Sequence, residues 1–322
     1  MNALSNASRL PAAIASRLRV PLIVAPMFGV SGVDLVTAVC RSGAIGAFPT
    51  ANAGSVEELD HWLTRIEYDL TNAESIAAPH CPALFIRQPR FKDDLACLVR
   101  HKLEIVITAA GSPAAATQQL HEIGCLVFAN VASLRHAETA IESGADGLIL
   151  LSAGAGGHTG WANPFAFARA VRAMFDGPII LAGGITDGVS LAAIRLLGCD
   201  LACMGTCFIA TRESMASDAY RQMLVDSTLD DVVLTKAFSE LYANMLRPSI
   251  VAAGFDPSKL DVSLSEADAK QKLGGNKLNE GPRLKEFWSA GHSVSGVHSI
   301  TSAAERVEEL AVEYQAALTN WT

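Results

Sequence analysis

Eight short apolar runs constrain this chain more than any other feature of its sequence. They are Val20–Met27, Ala44–Phe48, Ala83–Ile86, Ile105–Thr108, Leu126–Ala129, Gly147–Leu151, Pro178–Ala182 and Asp200–Met204. Successive runs mostly begin twenty to thirty-five residues apart. Each is nearly continuous in apolar residues instead of alternating with polar ones. That is the pattern of parallel strands buried on both faces. Parallel neighbours need a crossover between them, and the intervening segments carry helix signals. Ser55 precedes Glu57-Glu58, and Ser112-Pro113, Ser133 and Asn163-Pro164 stand where helices should open. Gly124, Gly144 and Gly198 fall where helices should end. Gly144-Ala145-Asp146-Gly147 is echoed by Gly198-Cys199-Asp200-Leu201, which predicts the same helix-to-strand corner twice.

Eight strand–helix units in series predict a closed (β/α)8 barrel of the TIM type over residues 1–210. An open doubly wound sheet is the alternative that strand number alone allows. After Phe208 the spacing stops. Residues 211–297 read as a smaller helical region folded over the barrel on its substrate side, with a polar stretch, Gly274–Gly281, after its helical segments. Residues 298–322 read as a C-terminal segment whose helix packs back on the barrel through Ala304, Val307, Ala311, Tyr314 and Leu318.

Composition narrows the function. A formal net charge of -8 lacks the basic excess of a nucleic-acid binder. No window approaches about 18 uncharged apolar residues, and the first twenty residues hold no apolar core of signal-peptide length, so no membrane association and a cytoplasmic location are expected. The seven cysteines are scattered and form no C-x-x-C pair, which reads as buried free thiols. No H-x-H or H-E-x-x-H pattern suggests a metal.

In a barrel, chemistry collects in the loops after the strands. The first run leads into Ala25-Pro26-Met27-Phe28-Gly29, where Met27 either meets a flat ligand or caps the core. The sixth leads into Ser152-Ala153-Gly154-Ala155-Gly156-Gly157-His158-Thr159-Gly160. So little side chain predicts that the backbone closely approaches something else. The spacing departs from a dinucleotide fingerprint and no helix follows directly, so that reading is rejected. His158 is the imidazole carried by this loop. The other seven histidines are assigned to helices or peripheral segments. An imidazole at a strand end can abstract a proton from a weak carbon acid near neutral pH. The seventh run leads into Gly183-Gly184-Ile185 and the eighth into Gly205-Thr206-Cys207. Glycine amides and a threonine hydroxyl on adjacent strand ends suit a phosphate. A nucleophilic Cys207 would suggest nucleotide oxidation, which is disfavoured. Trp161 and Phe165 lie close enough in sequence to line a pocket, with core packing the default for Phe165.

Taken in order, Pro26-Met27, Ala155–Gly160, Leu181–Gly184 and Met204–Ala210 resemble the nitronate monooxygenase family. The resemblance continues through Tyr220, Met223-Leu224, Arg247–Ile250 and Ala253–Pro257. It implies FMN lying across the barrel mouth, with its ring near Ala25, Pro26 and Met27 and its phosphate on Gly183, Gly184, Gly205 and Thr206. Gly156 and Gly157 would pass beside the flavin, and Asn130 would donate to its O2 side. His158 would be the catalytic base. The implied reaction is oxidation of a nitronate, or of a nitroalkane after loss of its α-proton, with O2 to a carbonyl compound and nitrite. Where many relatives carry an asparagine at the third strand this chain has Pro82–Ile86. Where some carry a lysine after the fifth it has Asn130-Val131. Flavin-dependent enoyl-acyl carrier protein reductases share the glycine–histidine loop and would add NAD(P)H as a partner. A flavin-binding scaffold without turnover is the third reading. A homodimer is the candidate assembly.

Overall fold

The computed structural model describes residues 8–73, 75–238, 241–260 and 287–320. Its centre is a closed barrel of eight parallel strands. These are β1 (Leu22–Val24), β2 (Ile45–Pro49), β3 (His80–Phe85), β4 (Ile105–Ala109), β5 (Leu126–Val131), β6 (Gly147–Leu151), β8 (Ile179–Ala182) and β9 (Leu201–Met204). Each apolar run supplies one strand. β9 pairs with β1 in parallel, which closes the barrel and excludes the open sheet. A short strand, β7 (Gly157–His158), lies outside the barrel.

Helices alternate with the strands: α2 (Val33–Arg41), α3 (Val56–Thr71), α4 (Phe91–Arg100), α5 (Ala114–His121), α6 (Leu134–Glu142), α7 (Pro164–Arg172) and α8 (Gly188–Leu196). Ser55, Ser133 and Asn163 cap α3, α6 and α7 by accepting backbone amides of the first turn. One set of strand residues, including Ile23, Ile45, Ile107, Phe128, Ile149 and Ile180, fills the barrel interior. The alternate set, including Leu22, Val24, Leu148 and Leu150, packs beneath the helices. Full burial of such a side chain is worth about 1.5–3 kcal/mol. Leu10, Ile14 and Leu18, around the short helix α1 (Ala12–Ala15), join the interior cluster before the strands begin.

The repeated corner proves to be one device used twice. Gly144 and Gly198 take positive φ, and the aspartate two residues on turns back to the neighbouring strand. Asp146 accepts the Val127 amide at 2.8 Å, and Asp200 accepts that of Ile179 at 3.0 Å.

The region after the barrel differs from the helical expectation. Helices α10 (Asp218–Val225) and α11 (Arg247–Ala252) are present, with the short α9 (Thr206–Ile209) before them. Between them lie two strands, β10 (Val232–Thr235) and β11 (Ala243–Leu246), paired antiparallel. β11 also pairs antiparallel with β7, so this sheet includes the strand that carries His158. The β-branched Val232-Val233 and Thr235 suit a strand, but the pairing partner lies far away in sequence and only folding supplies it. Phe238, Ile250, Leu260 and Phe287 form a small separate cluster here, with the rings of Phe238 and Phe287 stacked at 4.2 Å. The stretch Gly274–Gly281 lies outside the described residues.

The C-terminal helix, Ala303–Thr319, opens with a capping box of Ser302 and Glu305. Its buried face includes Ala303, Val307, Leu310, Ala311 and Tyr314, while Ala304, assigned to that face from sequence, is exposed. It packs on α8 closely enough that a Cβ on Gly188 would lie 2.2 Å from the Tyr314 nitrogen. Among the described residues no helix is long and apolar enough to cross a membrane.

Candidate active site at the barrel mouth

The parallel strands all end on one side, and every candidate residue lies in or just after such an end. Ala25 donates its amide to the Met204 carbonyl at 2.9 Å, joining the first strand end to the last. Met27 is held by Ser31 Oγ, which accepts its amide, and by Asn52 Nδ2, which donates to its carbonyl at 2.9 Å. The Met27 sulfur lies 3.1 Å from where a Cβ on Gly205 would stand, so the two loops touch because residue 205 lacks a side chain. Asn130 is the penultimate residue of β5, opposite Ile149 of β6. It follows Phe128 by two residues, which places it on the interior face of the strand.

The loop after β6 is fixed from three directions. Ser152, fully buried, donates Oγ–H to the Ala182 carbonyl at 2.7 Å. Thr159 Oγ1 donates to the Ser152 carbonyl at 2.8 Å, drawing the loop back on itself. From the distant hairpin, buried Asn244 donates Nδ2–H to the Ala155 carbonyl at 2.7 Å. The segment after residue 287 closes the third side. His292 donates its amide to the Gly154 carbonyl at 2.9 Å, and Gly291 donates to Thr206 Oγ1 at 2.9 Å. A Cβ on Gly156 would meet the Gly291 nitrogen at 2.8 Å. Part of the close approach read from these glycines is thus protein against protein.

Gly183 shows the same crowding together with a φ of +121°. A Cβ there would strike Ser152 Oγ at 2.6 Å, so only glycine fits. Gly184, also at positive φ, has open space where its Cβ would be. Among the described residues, the amides of Gly183, Gly184, Gly205 and Thr206 donate to no protein acceptor. Free donors grouped at adjacent strand ends are the arrangement an anionic group requires.

His158 projects from β7 opposite Ala243 and is exposed at the surface. The surrounding protein still displaces part of its water, and this desolvation lowers its pKa from the ordinary histidine value. A lowered pKa favours the neutral ring, the form that can accept a proton. Trp161 is 83 % exposed and Phe165 59 %, so Phe165 is outside the core in which it was expected. Phe28 pairs with Phe85 at 4.8 Å, adding apolar surface at the first and third strand ends.

Two assignments from sequence change. His80, grouped with helical or peripheral histidines, begins β3, and its buried Nε2 has no partner among the described residues. His292 packs on the glycine loop, its Nδ1 2.8 Å from the Cβ position of Gly154. The free-thiol reading is supported, since all seven cysteines are unpaired and buried. Burial pushes Cys207 up to about 11, which keeps the thiol protonated and removes it as a nucleophile. Sequence inspection missed Asn244 and Gly291. Neither has a local signal, because each acts on residues more than eighty positions away.

The family model for nitronate monooxygenase matches residues 83–313. The chain belongs to the nitronate monooxygenase family. A curated relative, the nitronate monooxygenase of Paraburkholderia phytofirmans, is 29% identical over 278 residues, covering 74% of this chain and 76% of that protein. Among solved structures, FabK from Thermotoga maritima superposes with a TM-score of 0.82 at 23% identity, covering 94% of this chain and 95% of that one. Nitroalkane oxidase from Streptomyces ansochromogenes gives 0.79 at 23% identity, covering 96% and 100%. At that identity the structural matches speak to the barrel fold. Family membership makes the chain an oxidoreductase enzyme, and members of the family are flavin-dependent.

Proposed function

We propose that this protein binds FMN at the barrel mouth and oxidises alkyl nitronates with O2 to a carbonyl compound and nitrite. The observation that carries this reading is the grouping of the four free amides, of Gly183, Gly184, Gly205 and Thr206, with His158 on one end of the barrel. The residues present fit the cofactor. The amides and the remaining Thr206 hydroxyl proton would hold the phosphate, while Ala25, Pro26, Met27 and the Asn130 amide would border the ring. Gly156 and Gly157 leave the approach beside it free of side chains. Bound there, FMN supplies the electron acceptor for the nitronate.

The chain's own contribution is positioning and proton transfer. With a neutral nitroalkane, one ring nitrogen of His158 takes the α-proton as the C–H bond breaks, and the electron pair moves onto the nitro group. Partial desolvation favours the unprotonated form of that nitrogen. The exposed Trp161 and the Phe28–Phe85 pair offer apolar surface for an alkyl chain.

Nitrite release and NAD(P)H oxidation measured in parallel on the yellow protein test the proposal. The expected result is FMN released on denaturation and nitrite formed from nitronates. Rapid anaerobic bleaching by NADPH with no nitronate turnover would instead make the protein an enoyl-thioester reductase. A protein that binds FMN and turns over neither would be a scaffold.

A further inference from the structure

On the outer face of the barrel, three side chains of different chemistry converge between α3 and α4. Asp60 lies on α3, with Cys97 and His101 one turn apart at the end of α4. The Cys97 sulfur is 3.7 Å and His101 Nε2 3.1 Å from the same Asp60 oxygen. All three ligand-type atoms lie within 4.8 Å of one another. A tetrahedral zinc ion has ligand distances of about 2.0–2.3 Å, which puts pairs of ligands about 3.3–3.6 Å apart. Shifts of about 1 Å would bring the three atoms to that spacing.

The imidazole is also oriented as a ligand would be. Its other nitrogen, Nδ1, is 2.9 Å from Glu67 Oε1, two turns along α3 from Asp60. A carboxylate behind a histidine fixes its ring and raises its basicity, as in carboxylate–histidine–zinc arrangements. Cys97 is buried and His101 nearly so, while Asp60 is half-exposed, leaving a side open for a fourth ligand from solvent. Thiol, imidazole and carboxylate together favour zinc over the hard cations magnesium and calcium.

We propose that Asp60, Cys97 and His101, with Glu67 orienting the imidazole, form a zinc site that ties α3 to α4. As the metal–sulfur bond forms, the thiol proton passes to solvent. The competitor is Arg100, whose guanidinium is 2.9 Å from the Asp60 oxygen. It is largely exposed and on a flexible stem, so it can swing away when a cation arrives.

Cobalt titration of the chelator-treated full-length protein, read as a difference spectrum, tests the site. One equivalent should produce a thiolate-to-cobalt charge-transfer band with tetrahedral ligand-field bands, and zinc should bleach both. Cys97→Ser should abolish the charge-transfer band. Glu67→Gln should weaken binding about 10- to 100-fold. Arg100→Ala should tighten it, by removing a cation from Asp60. If Cys97→Ser does not fold, His101→Asn at the helix end serves in its place and should lose the tetrahedral spectrum. Absence of cobalt bands in the unaltered protein, or bands that survive loss of Cys97 or His101, would overturn the proposal. So would an Arg100→Ala protein that binds cobalt no better.

Discussion

Two histidines show how placement decides what one residue type does. His158 has its pKa lowered by partial desolvation. If it is the base, the acid limb of kcat/KM for a neutral nitroalkane should fall below the ordinary histidine value of about 6.5. His158→Ala should keep FMN yet lose neutral nitroalkane turnover by about 10²–10⁴-fold, with a smaller loss on preformed nitronates, which need no proton removed. Equal losses on both substrates would remove the general-base role. His80 is half-buried with its Nε2 fully enclosed, and desolvation lowers its pKa to about 4. As pH falls below about 6.5, the unfolded chain takes up a proton that the folded one refuses, so stability drops until the folded pKa is reached. The loss between about pH 7 and about pH 5 should be roughly 2 kcal/mol. Urea unfolding at the two pH values should show that His80→Gln removes this part of the slope.

At the scale of elements, the antiparallel sheet of β10, β11 and β7 explains how a glycine-rich loop can hold His158, the proposed base, in one place. Such a loop has many accessible conformations, and its own side chains supply few contacts. β11 provides the missing order by pairing with Gly157 and His158 and by the Asn244 bond to Ala155. Asn244→Ala leaves that carbonyl without its donor, at a cost of about 1–3 kcal/mol. The expected result is a lower melting temperature and a reduced kcat with FMN retained. Asn244→Asp should give no rescue, because a carboxylate cannot donate to the carbonyl. Unchanged kcat in both variants would mean that the sheet does not position His158.

Across the whole molecule, Asp200 joins parts that the chain separates widely. Fully buried, it accepts the Arg9 amide at 2.8 Å and a guanidinium bond from Arg172 at 2.8 Å, with Arg195 4.0 Å away. It therefore links the segment before the barrel to α7, α8 and the seventh strand. Asp200→Asn leaves two largely buried guanidinium groups without their counter-charge. Breaking a buried pair in this way costs about 3–5 kcal/mol. A matching fall in the urea midpoint is expected, with little change at the strand ends on the opposite side of the barrel. A shift below about 1 kcal/mol would show that solvent compensates the arginines.

The barrel was legible in the sequence because its determinants are local. A parallel strand covered on both faces must be apolar throughout, so Gly147–Leu151 and Ile105–Thr108 declare themselves in five residues or fewer. The strand-end glycines were legible too, since Gly183 stands where any side chain would collide with Ser152. What those glycines approach was not legible. The Gly156 contact with Gly291, the Asn244 clamp and the pairing of β11 with β7 all join residues far apart in the chain. Backbone pairing and single hydrogen bonds place no periodic demand on either partner, so neither sequence segment announces the other. Sequence alone determined the eight parallel strand–helix units and the strand-end loops proposed to carry the chemistry, while closure into a barrel was decided by the pairing of β9 with β1. Tertiary structure decided how His158 is held there, because its support comes from residues that meet it only after the barrel has closed.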